Sequence, residues 1–285
     1  MELSVSGQTR LMCLLGHPAG HSISPAMHTK ACELLGLDYV YLAFDVLPDD
    51  LKEVVGALKK MDVAGFNLTM PHKSHVIPLL DEISDISQLT ESVNTVVNKN
   101  GRLFGTTTDG IGYIESLKEK NFQIQDKTVT ILGAGGAAKS IIAQAAKDGA
   151  KEIFIFKRKN ATYDETVAFA KKVKEHTKAD ICVFAMDDSL ALKSCLQKSD
   201  LLTNATNVGM GEKDFSLVPK EYLRKELLVS DIIYHPSMTT LLKDASEAGA
   251  DYINGKFMLL YQGAKAFELF TGQKMPTEKI KELYF

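Results

Sequence analysis

The amino-acid sequence predicts an α/β protein of two domains, and three observations support this prediction. Segments with strand-like and helix-like hydrophobic spacing alternate along the chain, a pattern typical of a mostly parallel sheet covered by helices. The same alternation begins again at Lys127. The length of 285 residues leaves room for two domains of about 100–150 residues each.

Both parts of the chain contain the elements that this fold requires. In the first part we expect strands at 11–16 and 39–46, helices at 25–35 and 51–60, and an extended segment at 65–69. In the second part we expect strands at 128–132, 152–156, 181–185, 201–205 and 227–233, with helices at 137–147, 162–176 and 254–271. Short strands separated by helical segments indicate βαβ units.

The composition excludes several classes of protein. Hydrophobic residues make up 45% and charged residues 24%, which argues against a disordered, fibrous or membrane-embedded chain. The net charge of −3, from 33 basic and 36 acidic residues, provides no general attraction to nucleic acid or to an acidic membrane. We therefore expect a small-molecule function without a nucleic-acid or membrane partner.

Neither a targeting segment nor a metal motif is found in the sequence. The first ten residues lack a basic stretch followed by an apolar one, and no apolar run approaches the roughly 20 residues that span a bilayer. The seven histidines have no ligand spacing, so no metal is expected. The cysteines have no close partner, so we expect buried free thiols in a cytoplasmic protein; they are Cys13, Cys32, Cys182 and Cys195.

A glycine-rich turn has the spacing of a dinucleotide-binding site. Gly133, Gly135 and Ala138 follow the pattern G-x-G-x-x-A between a predicted strand and a predicted helix, which is the context of a Rossmann domain. The first glycine permits a tight turn, the second lets the backbone approach a pyrophosphate, and the unpaired amides at the helix start favour an anion. A glycine-rich turn that binds nothing is the alternative.

The residues after the following strand indicate the preferred cofactor. An acidic residue there pairs with the adenosine ribose of NAD, whereas a basic residue pairs with the 2′-phosphate of NADP. This chain has Lys157, Arg158 and Lys159 and no carboxylate, so NADP is favoured and NAD is the second choice. A solvated basic turn is the alternative.

Four polar stretches of the first part contain the candidate catalytic groups. They lie at 16–28, 65–73, 91–96 and 105–113, and each is expected to follow a strand. The carboxyl ends of strands in an open sheet meet at one edge, so these loops can form one site. Their side chains suit a small polyhydroxylated anion; they are those of Ser22, Ser24, Asn67, Thr69, Lys73, Asn94 and Asp109.

Lys73 and Asp109 are the candidate catalytic pair. A lysine beside a carboxylate can move a proton to or from an alcohol while a nicotinamide takes or gives a hydride. The alternative is that Lys73 is a surface lysine and that Asp109 caps a helix expected at 111–118.

The order of the motifs resembles that of the shikimate dehydrogenase family, including its quinate/shikimate dehydrogenase branch. The motifs are HSISPAMH, GFNLTMPHK, VNT, TDG, GAGGAA, NAT..GM at 204–210, D..Y.P..T.LL at 231–242 and G..MLL.QGA...F..FTG ending at Gly272. Eight motifs in this order are more specific than any one of them, and they cover the chain from end to end.

The resemblance implies reversible oxidation of a shikimate ring hydroxyl to 3-dehydroshikimate, with hydride passing to NADP or NAD. It makes Lys73 the acid or base and Asp109 its partner. The implied substrate contacts are those of Ser22, Ser24, Thr69, Asn94, Tyr234 and Gln262. The implied cofactor contacts are those of Gly133, Ala134, Gly135, Gly136, Ala137, Lys157, Arg158, Asn204, Thr206, Gly255 and Met258.

The resemblance also implies a discontinuous substrate domain. Residues 1–110 and 255–285 would form this domain and residues 111–254 the Rossmann domain, with a cleft between them. A homodimer is compatible with the sequence.

Three departures from the family pattern bear on specificity. Thr107 stands where the family has asparagine, and Glu91-Ser92 stands where it has Gly-Ala, which brings a bulkier charged side chain toward the substrate loop. The basic cluster at 157–159 favours NADP, while the stretch 156–170 resembles the branch that uses either cofactor. The two cofactor interpretations therefore conflict.

Two alternative functions stay open at this point. An NAD-preferring quinate/shikimate dehydrogenase would have to accommodate an extra ring hydroxyl. A non-catalytic sensor would bind a nucleotide and a cyclohexane acid without turnover. The retained Lys73 and Asp109 favour an enzyme over the sensor.

Overall fold

The structure, a computed structural model, describes residues 5–211 and 215–285. The chain divides into two compact units: the first is Met1–Gly112 with Leu260–Phe285, and the second is Tyr113–Leu259. Each unit has its own sheet and its own core. The predicted domain limits, 1–110 with 255–285 and 111–254, stay a prediction.

The strands and helices of the described residues are as follows. The strands are β1 Arg10–Gly16, β2 Tyr39–Asp45, β3 Gly65–Leu68, β4 Glu82–Ile83, β5 Thr95–Lys99, β6 Arg102–Thr106, β7 Thr128–Leu132, β8 Glu152–Lys157, β9 Asp180–Ala185, β10 Leu201–Asn204, β11 Leu228–Asp231 and β12 Tyr252–Ile253. The helices are α1 Ser24–Leu35, α2 Leu51–Lys60, α3 His72–His75, α4 Asp85–Thr90, α5 Asp109–Leu117, α6 Gly136–Lys147, α7 Tyr163–His176, α8 Ser189–Lys198, α9 Thr240–Glu247, α10 Lys256–Thr271 and α11 Thr277–Tyr284.

The sheet of the first unit is mixed and has the order β2-β1-β3-β5-β6-β4. Strand β1 is parallel to β2 and β3, and β4 is parallel to β6, whereas β5 is antiparallel to both of its neighbours. The β5–β6 hairpin was not predicted. Its turn is Asn100-Gly101, with φ values of 53° and 78°, and Asn-Gly between two β-rich segments is a strong hairpin signal.

The sheet of the second unit is parallel throughout and has the order β12-β11-β10-β7-β8-β9. This is the strand order of a Rossmann fold, in which the direction of winding reverses between the first strand, here β7, and the fourth, here β10. Ligands bind at such a reversal, at the carboxyl ends of the strands. The predicted α/β fold class is therefore confirmed.

Hydrophobic spacing decides which faces of the helices are buried. In α2, Leu51, Val55 and Leu58 recur at helical spacing and are buried, so this face packs into the core of the first unit with Phe66 and Val96. The second core contains side chains from the sheet and from α8 and α9; among them are Phe156, Leu196, Leu202, Val229 and Leu242.

Three further findings concern the whole described chain. Cys13, Cys32 and Cys195 are buried free thiols, while Cys182 is only partly buried. Within residues 5–211 and 215–285, no helix has the length and apolar character needed to cross a membrane. The same residues contain no group of three or more His, Cys, Asp or Glu side chains arranged to hold a metal ion.

Candidate functional site

The polar loops of the first unit meet at one edge of its sheet, although one of them does so for an unexpected reason. The loops after β1, β3 and β6 follow strands as predicted. The 91–96 stretch does not follow a strand: Asn94 directly precedes β5. Because β5 is antiparallel to β3, its start lies at the edge where β3 ends. The expectation about the preceding strand was wrong, and the antiparallel β5 explains why the loops still meet.

Lys73 and Asp109 form a close ion pair at this edge. The Lys73 ammonium donates to Asp109 Oδ2 over 2.5 Å, and the side chains are 23% and 7% exposed. Lys73 is carried by the short helix α3 and Asp109 is the first residue of α5. The Lys73 carbonyl accepts a hydrogen bond from the Val93 backbone amide over 2.8 Å, which ties α3 to the loop before β5. Lys73 is therefore a partly buried member of an ion pair and not a solvated surface lysine.

Asn94 binds the other oxygen of the same carboxylate. Its Nδ2 donates to Asp109 Oδ1 over 2.8 Å and lies 3.2 Å from Gln262 Oε1 on α10. Its Oδ1 accepts from the Thr108 backbone amide over 2.8 Å and from the Thr95 hydroxyl over 3.0 Å. The two Asp109 oxygens thus have separate donors, which fixes the plane of the carboxylate.

Asn67, which was expected among the ligand-facing polar groups, bonds to other residues of the protein instead. The side chain is buried, its Oδ1 accepts from the Tyr41 hydroxyl, and its Nδ2 donates to the Asn94 carbonyl and the Thr95 hydroxyl. Its hydrogen-bonding groups are thus used inside the protein. Asn67 supports Asn94 and is not a free ligand for a substrate. Tyr41 could not be identified from the sequence, because its partner Asn67 is 26 residues away.

The three predicted substrate hydroxyls lie in the loops after β1 and β3. Ser22 is half-buried and its hydroxyl accepts from the backbone amide of Ser24, which is buried at the start of α1. Thr69 is half-buried and its amide donates to the Leu15 carbonyl. A Cβ at Gly16 would collide with the Thr69 methyl group. The end of β1 therefore packs directly against Thr69.

Gln262 and Tyr234 belong to different units. The Gln262 backbone lies so close to Gly112 of α5 that a Cβ added at Gly112 would collide with it. The C-terminal part of the chain therefore contributes to the first site. Tyr234 is half-buried in the loop after β11 of the second unit. Its contact with a substrate stays a prediction.

The glycine-rich turn of the second unit joins β7 to α6. Gly133 has φ +101°, a conformation that side chains rarely adopt, and an added Cβ would lie 2.8 Å from the Ala205 carbonyl oxygen. Gly135 precedes the first residue of α6 and makes no side-chain cap, and a Cβ added there would meet nothing within 4 Å. The backbone amides at the start of this 12-residue helix can therefore donate hydrogen bonds to an anion.

A pocket of about 430 Å³ lies over this turn. Of the predicted cofactor residues, it is lined by Gly133, Ala134, Gly135, Lys157, Arg158 and Thr206. Residues that were not predicted also line it; they are Met186, Ala205, Asn207, Val208, Phe215 and Leu217. Phe215 is exposed and Met186 directly follows β9. For Met186 and Ala205, the position directly after a strand is the signal that could have identified them.

The basic residues after β8 are not equivalent. Lys157 Nζ donates to Asn160 Oδ1 over 3.2 Å and to the Thr162 hydroxyl over 2.8 Å, so part of its hydrogen-bonding capacity is used by the turn. Within the described part of the chain, the Arg158 guanidinium forms neither a hydrogen bond nor an ion pair. Arg158 is therefore the cation in this pocket with its donors available.

Asn204 shapes the pocket without lining it. Its Nδ2 donates to the Val208 carbonyl and to Asp231 Oδ1, while its Oδ1 accepts from the backbone and side chain of Thr206. Asp231 is fully buried and also accepts from the Ile233 amide. These bonds hold the loops that follow β10 and β11.

The remaining predicted cofactor residues lie outside the lining of this pocket. Gly136 and Ala137 are the first residues of α6. Gly255 lies against the Ile232 carbonyl, where any Cβ would collide, and Met258 is buried on α10. Their contacts with a nicotinamide stay predictions.

The unusual Glu91-Ser92 pair has a structural explanation. Glu91 ends α4 in the left-handed conformation, with φ 52° and ψ 39°, where glycine is favoured. The residue is exposed, whereas Ser92 is buried and its hydroxyl has no partner within the described structure. The departure at Glu91-Ser92 therefore affects how helix α4 ends.

Together, the fold and the two sites define the chain as an α/β protein with a dinucleotide-binding unit and a second unit that holds a lysine–aspartate pair. Models of three protein domains match the chain. They are the shikimate dehydrogenase substrate binding domain at 14–96, shikimate / quinate 5-dehydrogenase at 116–232 and the shikimate 5'-dehydrogenase C-terminal domain at 258–283. The chain belongs to the shikimate dehydrogenase family.

Individual relatives cover the whole chain. Shikimate dehydrogenase (NADP(+)) from Alkaliphilus metalliredigens (strain QYMF) is 48% identical over 285 residues, with 99% of both chains covered. The crystal structure of shikimate 5-dehydrogenase from Listeria monocytogenes with shikimate and NAD has a TM-score of 0.95 at 44% identity, covering 100% of this chain and 99% of that one. Quinate dehydrogenase from Corynebacterium glutamicum with NAD has a TM-score of 0.85 at 27% identity, covering 97% and 98%. The predicted family is confirmed.

Proposed function

We propose that this chain is an NADP-linked shikimate dehydrogenase that interconverts shikimate and 3-dehydroshikimate. The observation that carries the proposal is the pairing of Lys73 with Asp109 over 2.5 Å, with Asn94 on the other carboxylate oxygen. The name of the A. metalliredigens relative and the shikimate in the L. monocytogenes structure support the assignment.

In this proposal Lys73 moves the proton. During oxidation, its Nζ takes the proton of the reacting ring hydroxyl, while the hydrogen on the carbon that bears this hydroxyl leaves as hydride. During reduction, the Lys73 ammonium returns a proton to that oxygen. Asp109 holds Lys73 through Oδ2 and, because Asn94 binds Oδ1, stays in one orientation. The nicotinamide cofactor, when bound, supplies the hydride acceptor or donor.

The substrate groups are assigned to the polar loops. We assign the substrate carboxylate to the hydroxyls of Ser22 and Ser24, and the ring hydroxyls to Thr69, Asn94 and Gln262. Hydroxyl and amide groups can both donate to and accept from an alcohol. The proposed substrate is therefore recognised mainly by neutral hydrogen bonds.

The residues of the second unit fit a dinucleotide. The open space at Gly135 and the free amides at the start of α6 suit a pyrophosphate, and the backbone from Gly133 to Ala137 would hold it. Arg158 lines the same pocket with its donors available and would bind a 2′-phosphate, for which a guanidinium is well suited. These groups favour NADP, because NAD lacks the 2′-phosphate that Arg158 would bind.

The proposal extends to the organisation of the chain. We assign the first unit as the substrate domain and the second as the cofactor domain of a cytoplasmic enzyme that has no nucleic-acid partner. A homodimer is compatible with the sequence, and light scattering on the purified protein measures the oligomeric state.

Initial rates measured by nicotinamide absorbance test the proposed function. Shikimate and quinate are each combined with NADP and NAD. Shikimate with NADP should give the largest kcat/KM. Faster turnover of quinate with NAD would replace the proposal by a quinate dehydrogenase, the function to which the C. glutamicum neighbour points. Binding of shikimate and NADP by calorimetry without turnover in any combination would favour a sensor.

Arg158→Ala separates the two cofactors. Loss of a charge-assisted hydrogen bond of about 1.5–3 kcal/mol should raise KM for NADP by about 10- to 100-fold and leave KM for NAD unchanged. Lys157→Ala is the matched control, since Lys157 is partly engaged by Asn160 and Thr162, and should have the smaller effect. Equal effects of Arg158→Ala on both cofactors would contradict the assignment to the 2′-phosphate.

A further inference from the structure

A series of buried hydrogen bonds connects the edge strand of the first sheet with the lysine–aspartate pair. The Tyr41 hydroxyl lies 2.8 Å from Asn67 Oδ1, and Asn67 Nδ2 lies 2.9 Å from the Thr95 hydroxyl. The Thr95 hydroxyl lies 3.0 Å from Asn94 Oδ1, and Asn94 Nδ2 lies 2.8 Å from Asp109 Oδ1. All five side chains are buried.

The strand register explains how Tyr41 reaches this series. Tyr41 on β2 is paired with Met12 of β1, and Asn67 on β3 is paired with Leu14 of β1. Met12 and Leu14 are two residues apart, so Tyr41 and Asn67 lie on one face of the sheet. Thr95, paired with Asn67 across β3 and β5, lies on the same face. The tyrosine hydroxyl therefore passes over β1 to reach β3.

Two backbone groups fix the direction of these hydrogen bonds. The Asn94 carbonyl can only accept, so the Asn67 group 3.0 Å from it is the amide nitrogen, and the Asn67 oxygen faces Tyr41. The hydroxyl of Tyr41 must then be the donor. The Thr108 backbone amide can only donate, so it faces Asn94 Oδ1. This turns the Asn94 amide nitrogen toward Asp109.

The surroundings of Tyr41 keep it a neutral donor. Burial raises its pKa well above the usual value, so the hydroxyl retains its proton. Its ring stacks on His28, with 4.3 Å between the centroids, and burial lowers the pKa of His28 to about 3. His28 is therefore neutral near pH 7 and adds no charge to this region.

We propose that Tyr41 and Asn67 are positioning residues that act through Thr95 and Asn94 to hold Asp109 in its orientation toward Lys73. The inference rests on the proposed function. Without the Tyr41 hydroxyl, the Asn67 oxygen is buried without a donor, which is unfavourable. Asn67 can find another donor only by moving, and it then moves the Asn94 carbonyl that it holds. The expected consequence is slower chemistry with unchanged cofactor binding.

Tyr41→Phe tests this inference, with Tyr39→Phe as the control. Tyr39 is on the same strand and the same face, and within the described residues its hydroxyl makes no hydrogen bond. Loss of one hydrogen bond predicts that Tyr41→Phe lowers kcat for shikimate oxidation by about 3- to 10-fold. KM for NADP should change less than twofold in both variants, and Tyr39→Phe should retain the wild-type kcat. An unchanged kcat in Tyr41→Phe, or an equal loss of cofactor affinity, would overturn the inference.

A double-mutant cycle with Thr95→Val separates positioning from general damage. Valine preserves the branched shape and removes the hydroxyl between Asn67 and Asn94. If the hydrogen bonds act in series, the double variant loses no more activity than the worse single variant, whereas multiplied losses would overturn the inference. If Tyr41→Phe does not fold in a thermal melt, Thr95→Val alone must lower kcat at constant KM for NADP. A wild-type protein without turnover would refute the proposed function itself.

Discussion

The two units build their polar sites in opposite ways. In the second unit, a single turn between β7 and α6 supplies backbone amides, and the critical positions are glycines only two residues apart. In the first unit, the groups are side chains from separate loops: Lys73 and Asp109 are 36 positions apart, and Asn94 and Gln262 are 168 apart. One site depends on local backbone geometry, whereas the other depends on the register of a mixed sheet.

This difference determines how the two sites can fail. A backbone site is damaged by adding atoms, because its function is close approach to a ligand. A side-chain site is damaged by removing one hydrogen-bonding group, because the others then lose their partner. Substitutions in the two units should therefore separate catalysis, cofactor binding and stability.

The largest effect is expected for Lys73→Ala. Removal of a general acid or base lowers kcat for shikimate by about 10²–10⁴-fold, while the dissociation constant for NADP should stay near the wild-type value. Steady-state rates and calorimetry measure the two quantities. Lys59→Ala is the control, since Lys59 pairs with Asp81 at the surface of the same unit. If Lys73→Ala retained the wild-type kcat, the role of the lysine in proton transfer would be refuted.

Substitutions at the two glycines should separate folding from cofactor binding. Gly133→Ala forces a side chain into φ +101° and against the Ala205 carbonyl, so it should lower the free energy of unfolding by about 1–3 kcal/mol. Gly135→Ala has space for its methyl group and should keep the wild-type melting temperature. That methyl group blocks close approach of a pyrophosphate, so the NADP dissociation constant should rise by about tenfold or more. Wild-type NADP affinity in Gly135→Ala would contradict the proposed backbone site.

The buried His28 should make the first unit sensitive to acid. Its pKa is lowered from 6.5 to about 3 in the folded protein by burial, so between these values the unfolded chain binds more protons. Stability therefore falls as the pH decreases from 6.5 toward 3, by up to about 1.4 kcal/mol per pH unit. In His28→Phe this contribution disappears, and denaturant unfolding should show a flatter pH dependence over that range. His28→Gln serves as a smaller, uncharged second variant; an unchanged slope in both would contradict the expected role.

The smallest effect is expected at the end of α4. Glu91→Gly relieves a left-handed conformation and should raise the free energy of unfolding by about 0.5–1 kcal/mol. Gln88→Gly, within the same helix, should lower it by about 1 kcal/mol. Chemical denaturation measures both. Destabilisation by Glu91→Gly would show that other interactions of Glu91 outweigh the backbone term.

The success of the sequence-based predictions follows the same division. The strand, turn and helix around Gly133 were predicted because neighbouring residues determine them. The β5–β6 hairpin was not predicted, so the expectation that a strand comes before Asn94 was wrong. Lys157 lines the pocket, but Asn160 and Thr162 also accept hydrogen bonds from its ammonium, and those contacts depend on how the turn folds.

The family, the two-part α/β pattern, the glycine turn and the candidate pair could all be predicted from the amino-acid sequence. These properties are carried by residue type and short spacing. The folded chain was needed to show that β5 runs antiparallel, that Asn94 turns its amide toward Asp109, and that Tyr41 reaches Asn67. The physical reason is that a hydrogen bond between distant residues requires the right strand order and register, which arise when the whole sheet assembles.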